Sequence, residues 1–243
     1  VTFTLDGRQV DAGPGETIWQ AAARHGTDIP HLCYRDSNDY RADGNCRACM
    51  VEIEGERVLA ASCIRTPNEG MVVNSANARA ENARKMVMEL LVADQPPRDA
   101  AHDPDSDLWH YAETQDLEAP RFPAKHAPAP DTSHPAIAVN MDACIQCNLC
   151  VRACREVQVN DVIGLAGRGA DAHIVFDFDD DMGASTCVGC GECVQACPTG
   201  ALMPKRLLDE SQKLAITPDR HVDSVCPYCL SLIHISEPTR HES

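Results

Sequence analysis

Cys144-Ile145-Gln146-Cys147-Asn148-Leu149-Cys150-Val151-Arg152-Ala153-Cys154 reads C-x2-C-x2-C-x3-C, and Cys187, Cys190, Cys193 and Cys197 repeat that spacing ahead of Pro198. Three cysteines this close place three thiolates around one corner of an iron–sulfur cube, and the fourth points to a neighbouring cube. The two runs therefore exchange their last cysteines. One expected [4Fe-4S] set is Cys144, Cys147, Cys150 and Cys197; the second is Cys187, Cys190, Cys193 and Cys154. The exchange ties the two halves together and brings two redox centres near each other, an arrangement for passing electrons. Structural zinc also uses C-x2-C pairs, but it takes four ligands from two pairs, not a run of three plus one twice over.

Composition narrows the setting. The 243 residues allow one or two domains. Their 14 cysteines fall below the roughly 8–10% that marks a disulfide scaffold. No apolar run approaches the roughly 20 residues of a membrane helix, and no signal peptide is visible. Together these point to a reducing, cytoplasmic location, where thiols stay available as ligands. The first residue is Val1, so a preceding piece and a targeting signal stay open. The net charge of −16, from 37 acidic against 21 basic residues, argues against nucleic acid or an anionic membrane as partner. Asp177, Asp179, Asp180 and Asp181 read as a solvated turn. Aromatic residues are only 4%, so cluster ligation, which is coupled to folding, is expected to supply stability.

Upstream, Val1–Leu5 alternates as a half-buried strand. Asp6-Gly7 is a two-residue hairpin signal, and Arg8–Ala12 returns as the second strand. Thr17 can cap a helix from Ile18 to about His25, with Ile18, Ala21 and Ala22 inward and Gly26 ending it. Cys33, Cys46, Cys49 and Cys63 then follow as C-x12-C-x2-C-x13-C. This is near the plant-type [2Fe-2S] pattern, which has C-x4-C-x2-C. Met50–Glu54 and Arg57–Ala61 read as a hairpin around Gly55. Gly44 lets the chain wrap closely around a negatively charged cluster. The strand–helix–strand frame favours a β-grasp ferredoxin over a four-cysteine zinc site, and His31 reads as a supporting or surface residue. A helix over Ala76–Ala93, capped by Ser75 or Asn77, would carry Ala83, Met86, Val87, Leu90 and Leu91 as its packing stripe.

These residues carry a resemblance. Ile29-Pro30-His31-Leu32-Cys33, Gly44-Asn45-Cys46-Arg47-Ala48-Cys49-Met50-Val51-Glu52, Ala61-Ser62-Cys63 and the Met86–Leu91 helix resemble the N-terminal region of a group of redox subunits. The group comprises the large iron–sulfur subunit of respiratory complex I, the diaphorase subunit of NAD-reducing hydrogenases, iron-only hydrogenases, and the α subunit of NAD-dependent molybdenum formate dehydrogenase. Many members carry a further [4Fe-4S] site of one histidine and three cysteines after the long helix. This sequence has no cysteine between Cys63 and Cys144, so that site is expected to be absent, with His102, His110, His126 and His134 at the surface or in structural roles.

The stretch over residues 95–136 is rich in proline (Pro96, Pro97, Pro104, Pro120, Pro123, Pro128, Pro130, Pro135) and reads as an extended connector. It has one helical patch near Ser106–Glu113, and Trp109, Tyr111 and Phe122 are expected to pin it. Ala136–Val139 reads as a strand entering the cysteines, Leu149–Val157 as a short helix, and Val194–Cys197 as its counterpart. Between the two runs, His173–Phe178 has strand character. Gly164–Gly169 is glycine-rich but is not G-x-G-x-x-G, and reads as a turn. No NAD or FMN site, and no nucleophile–base pair, is read in the chain.

Val225-Cys226-Pro227-Tyr228-Cys229 resembles the opening of a molybdopterin-binding catalytic domain, where C-x2-C-x3-C and a distant cysteine hold one more [4Fe-4S] cluster. Here Leu230-Ser231-Leu232-Ile233 follows Cys229 instead, so Cys226 and Cys229 form an incomplete site. The run from Leu230 to Arg240 looks like a translated sequencing adapter, and residues 230–243 are set aside as an artefact; a divergent natural tail is the alternative.

The expected class is α+β. A β-grasp [2Fe-2S] ferredoxin domain with a C-terminal helix spans residues 1–94, and the Pro-rich connector residues 95–136. A two-[4Fe-4S] ferredoxin-like domain spans 137–220, and 221–229 begin a truncated molybdopterin domain. The resemblance implies the electron-transfer part of a formate dehydrogenase α subunit. Formate would be oxidised at a molybdopterin centre in a missing C-terminal domain, and electrons would pass to diaphorase subunits carrying FMN and binding NAD. The alternatives are the diaphorase subunit of a hydrogenase or a complex I-like enzyme and, from another class, a zinc-stabilised interaction module.

Overall fold

Asp6 and Gly7 both take left-handed backbone, φ 48° and 79°, the requirement of the tight hairpin that joins β1 (Thr2–Leu5) to β2 (Arg8–Asp11). The computed structural model describes residues 1–37, 39–117, 120–124 and 128–215, and the backbone of 221–225 and 232–236. The chain divides into two compact units, residues 1–95, 105–125 and 147–149 in one, and 96–104, 126–146 and 150–243 in the other.

The first unit is a five-stranded mixed sheet in the order β2-β1-β5-β3-β4. Here β3 is Met50–Ile53, β4 Ala60–Ala61 and β5 Val72–Asn74. β1 runs parallel to β5, and the other pairs are antiparallel. Alternation turns Phe3, Leu5, Val10, Val51, Ile53 and Val73 to one face. Helix α1 (Ile18–Arg24) covers that face with Ile18, Trp19, Ala21 and Ala22. Thr17 and Gln20 close a capping box at its start. The Ile18 and Trp19 amides, orphaned at a helix start, donate to the Arg65 and Ser62 carbonyls at 2.8 and 3.0 Å. This fastens the helix to the chain on either side of Cys63.

Helix α2 (Ala78–Ala93) is capped by Asn77, whose side chain accepts from the Ala80 amide. Its buried face is Ala80, Met88, Glu89, Val92 and Ala93; of the expected stripe, Ala83, Val87 and Leu91 are half-buried and Met86 and Leu90 are exposed. Apolar side chains surround this helix, so spacing alone did not select the face. The buried Glu89 is bridged by Arg121, whose Nε and Nη2 donate at 2.6 Å each. Helix α3 (Asp107–Thr114) buries Leu108, Trp109 and Tyr111. Phe122 is not buried with them: it is 39% exposed, with the Arg121 guanidinium 5.7 Å from its ring centroid. The proline-rich stretch therefore divides its residues between the two units.

In the second unit, β6 (Ile137–Val139) pairs antiparallel with β9 (Leu202–Pro204), so the strand before the first cysteine run is joined to the chain just after the second. Between the runs, β7 (Ile163–Ala166) and β8 (His173–Phe176) form a hairpin. Gly164-Leu165-Ala166, expected to be turn, is strand, and the turn begins at Gly167. Asp177 and Asp179 take left-handed backbone, and Asp177 accepts from the Thr186 amide and hydroxyl. The backbones of β10 (His221–Val225) and β11 (Leu232–Ser236) pair antiparallel.

Candidate metal centres

Cys33, Cys49 and Cys63 are buried and Cys46 half-buried in the first unit. Cys33 follows α1 by a loop, Cys46 and Cys49 immediately precede β3, and Cys63 follows β4. Gly44, at φ 63°, turns the loop inward. A Cβ there would come within 3.0 Å of Ile64 Cδ1, so the turn is also tightly packed. The Cys46 amide donates to Cys33 Sγ at 3.3 Å. Ser62 ties the ligand strands together, its hydroxyl and its amide both donating to the Cys49 carbonyl, at 2.8 and 3.1 Å.

The four thiols contact one another. Hydrogen bonds from Cys46 and Cys63 hold the Cys33 thiol well below the ordinary thiol range, and both donors are pushed well above it. The Cys49 thiol is lowered, chiefly by Cys63. Four thiols in a buried space cannot all ionise without a compensating cation, so the group fits a [2Fe-2S] cluster, whose irons neutralise the thiolates. Among the described residues no three ligating side chains surround one point as a single ion requires; a cluster distributes its thiolates over more than one iron.

In the second unit, Cys154, Cys187, Cys190 and Cys193 line one small cavity, partly open to solvent, with Ile137, Val162 and Ile163 as its apolar wall. The structure thus brings Cys154, from the end of the first run, to the three close cysteines of the second. Burial, then the charges of its neighbouring cysteines, pushes the Cys193 thiol up, and burial does the same to Cys187. A buried thiol that resists ionising in the bare protein suits a site whose charge is balanced by bound iron.

The two runs share a backbone device. In the first, Gln146 and Asn148 take φ 54° and 61°; at the matching places in the second, Gly189 and Gly191 take 68° and 80°. The left-handed turns aim amides at sulfur. Gln146 N–H donates to Cys144 Sγ at 3.4 Å, and Gly189 N–H to Cys187 Sγ at the same distance. The Val162 amide donates to Cys154 Sγ at 3.3 Å, and the Asn160 side chain approaches Cys190 Sγ at 3.9 Å. These donors, with Ser62, were not legible as site residues, because nothing in a sequence marks which amide will face a sulfur. Cys144, Cys150 and Cys197 belong to the second unit and the buried Cys147 to the first. Cys226 and Cys229 lie outside the described residues, as does His126.

The other histidines have protein partners. His31 contacts the Trp19 ring at 4.4 Å between centroids and the Tyr111 hydroxyl at 3.0 Å. His110 lies against the Tyr111 ring. His134 Nδ1 accepts from the Ala136 and Ile137 amides. His102 is buried, with Nδ1 2.6 Å from the Gln212 carbonyl and Nε2 2.9 Å from Asp142 Oδ1.

The chain is similar to known proteins. The 2Fe-2S iron-sulfur cluster binding domain matches residues 1–78, and the 4Fe-4S dicluster domain matches residues 143–201. The NADP-reducing hydrogenase subunit HndD of Solidesulfovibrio fructosivorans is 34% identical over 237 residues, 91% of this chain and 39% of its own length. The mitochondrial NADH-ubiquinone oxidoreductase 78 kDa subunit of Candida albicans is 33% identical over 210 residues, 84% of this chain and 28% of its own length. The chain thus spans well under half of these relatives. An NAD⁺-reducing [NiFe]-hydrogenase solved in the H₂-reduced state contains a chain that is 28% identical, with a TM-score of 0.74, over 84% of this chain and 87% of that one. Among the described residues no helix is long and apolar enough to cross a membrane.

Proposed function

We propose that this chain, similar over most of its length to iron–sulfur subunits of NAD(P)-linked oxidoreductases, is an electron conduit within such an enzyme. It would carry one [2Fe-2S] cluster on Cys33, Cys46, Cys49 and Cys63 in a β-grasp ferredoxin domain. Two [4Fe-4S] clusters would be held on Cys144, Cys147, Cys150 and Cys197, and on Cys187, Cys190, Cys193 and Cys154. The observation that carries the reading is the meeting of Cys154 with Cys187, Cys190 and Cys193 in one cavity, inside a segment that matches a dicluster domain. Bound clusters supply one-electron storage; the chain supplies thiolates, amide donors to sulfur, and an apolar wall that limits water.

For the enzyme that owns the conduit we propose an NAD-dependent formate dehydrogenase. The conduit would join a molybdopterin centre beyond Cys229 to diaphorase partners carrying FMN and binding NAD. The pair Cys226 and Cys229, and the lack of cysteine between Cys63 and Cys144, support this owner. A second owner, an NAD-reducing hydrogenase, is favoured by the likeness that covers 87% of a chain of such an enzyme. Reading the genomic DNA through codon 229 separates them. A third cysteine at C-x2-C-x3-C spacing followed by a long reading frame is the result expected for formate dehydrogenase; a gene that stops at Ser243 favours the hydrogenase.

A further inference from the structure

Thr199 is 3% exposed, and its hydroxyl oxygen lies 3.7 Å from Cys197 Sγ. Among the described residues this sulfur is the hydroxyl's only partner. A buried polar group needs a hydrogen-bond partner, and a cysteine that ligates iron has lost its proton. The hydroxyl must then be the donor and the thiolate the acceptor.

We propose that Thr199 sets the potential of the [4Fe-4S] cluster held by Cys197, by giving its hydroxyl hydrogen bond to that ligand sulfur. The inference rests on the ligand assignment above. One-electron reduction adds one negative charge, part of which falls on the sulfurs. A donor aimed at sulfur therefore stabilises the reduced form more than the oxidised form and raises the potential. Burial keeps water from replacing the hydroxyl and strengthens the interaction.

The repeat is unsymmetrical at this point. Two residues beyond Cys197 stands Thr199; two residues beyond Cys154 stands Glu156, which is exposed and carries no hydroxyl. The Cys154 sulfur is met instead by the Val162 backbone amide. The Asn160 amide at Cys190 is exposed, so water can take its place. Two clusters with equal spacing thus receive unequal side-chain donors, and the Cys197 cluster receives the buried one. Gly200, at φ 80°, fixes the chain just beyond; a Cβ there would fall 2.9 Å from Asp103 Cβ.

The test is a dithionite titration of the reconstituted full chain, with redox mediators, followed by electron paramagnetic resonance. Wild type, Thr199→Val and Thr199→Ser are compared. Thr199→Val is expected to lower the reduction equilibrium constant of one four-iron signal by about three- to tenfold, the tenfold limit being about 59 mV more negative. Thr199→Ser should restore it, with the other two signals unmoved. If Thr199→Val fails to hold the cluster, Thr199→Ala is measured against Thr199→Ser and must titrate lower. Unmoved potentials in variants that keep both four-iron signals overturn this inference alone. A wild-type protein with no four-iron signal overturns the ligand assignment and the inference with it.

Discussion

A single cysteine tests the crossed ligand assignment. Cys154 belongs by sequence to the first run, yet it faces the three close cysteines of the second. Cys154→Ser should therefore disturb the same four-iron resonance as Cys187→Ser, and Cys197→Ser the resonance disturbed by Cys144→Ser. The opposite pairing, each run perturbing its own signal, would mean uncrossed clusters. The residue scale also holds a pH effect. Burial is the largest influence on His102 and pushes its pKa down, but the hydrogen bonds to Asp142 and the Gln212 carbonyl together raise it above its ordinary value of 6.5. A raised folded pKa contributes stability that is fully present below about 6.5 and is lost as pH rises through the folded value. Urea unfolding should show wild type losing stability above neutral pH, and His102→Gln should lack that loss; identical pH profiles would contradict it. The candidate cysteines stand out in the sequence because cluster chemistry dictates spacing. The donors to their sulfurs do not, since the amides of Val162 and Gly189 act through position rather than residue type.

At the scale of elements, legibility followed how local the signal was. The Asp6-Gly7 hairpin and the Thr17 cap are written within a few residues, and both formed as read. Thr17→Ala should cost about 1 kcal/mol of unfolding free energy, measured by urea denaturation; an unchanged midpoint would show the cap to be idle. β5 and β9 were not read, because each is three residues long and is held by a partner far away in sequence. The α2 face is only partly legible, because apolar residues surround the helix and Glu89, a charged residue, joins the buried face through its bridge to Arg121. Gly200→Ala tests the turn after the second run: it combines left-handed backbone with a 2.9 Å contact to Asp103 Cβ. It should lower the thermal midpoint and the four-iron occupancy together; full occupancy at an unchanged midpoint would contradict the packing argument.

At the scale of the whole molecule, the sequence divided the chain by composition, whereas the structure divides it by contact. The proline-rich stretch looked like a connector because nothing in its composition shows that residues 105–125 join the first unit and 96–104 the second. Both units place their cysteines among buried apolar residues in a chain with few aromatic rings, so cluster ligation should contribute to folding. The most direct measurement of the central claim is iron, zinc and acid-labile sulfide in the anaerobically reconstituted chain, with paramagnetic resonance of the reduced protein. The account predicts a brown protein, with iron and sulfide matching one two-iron and two four-iron clusters, and with their resonances resolved. A colourless, folded protein that binds zinc and yields no sulfide would contradict it.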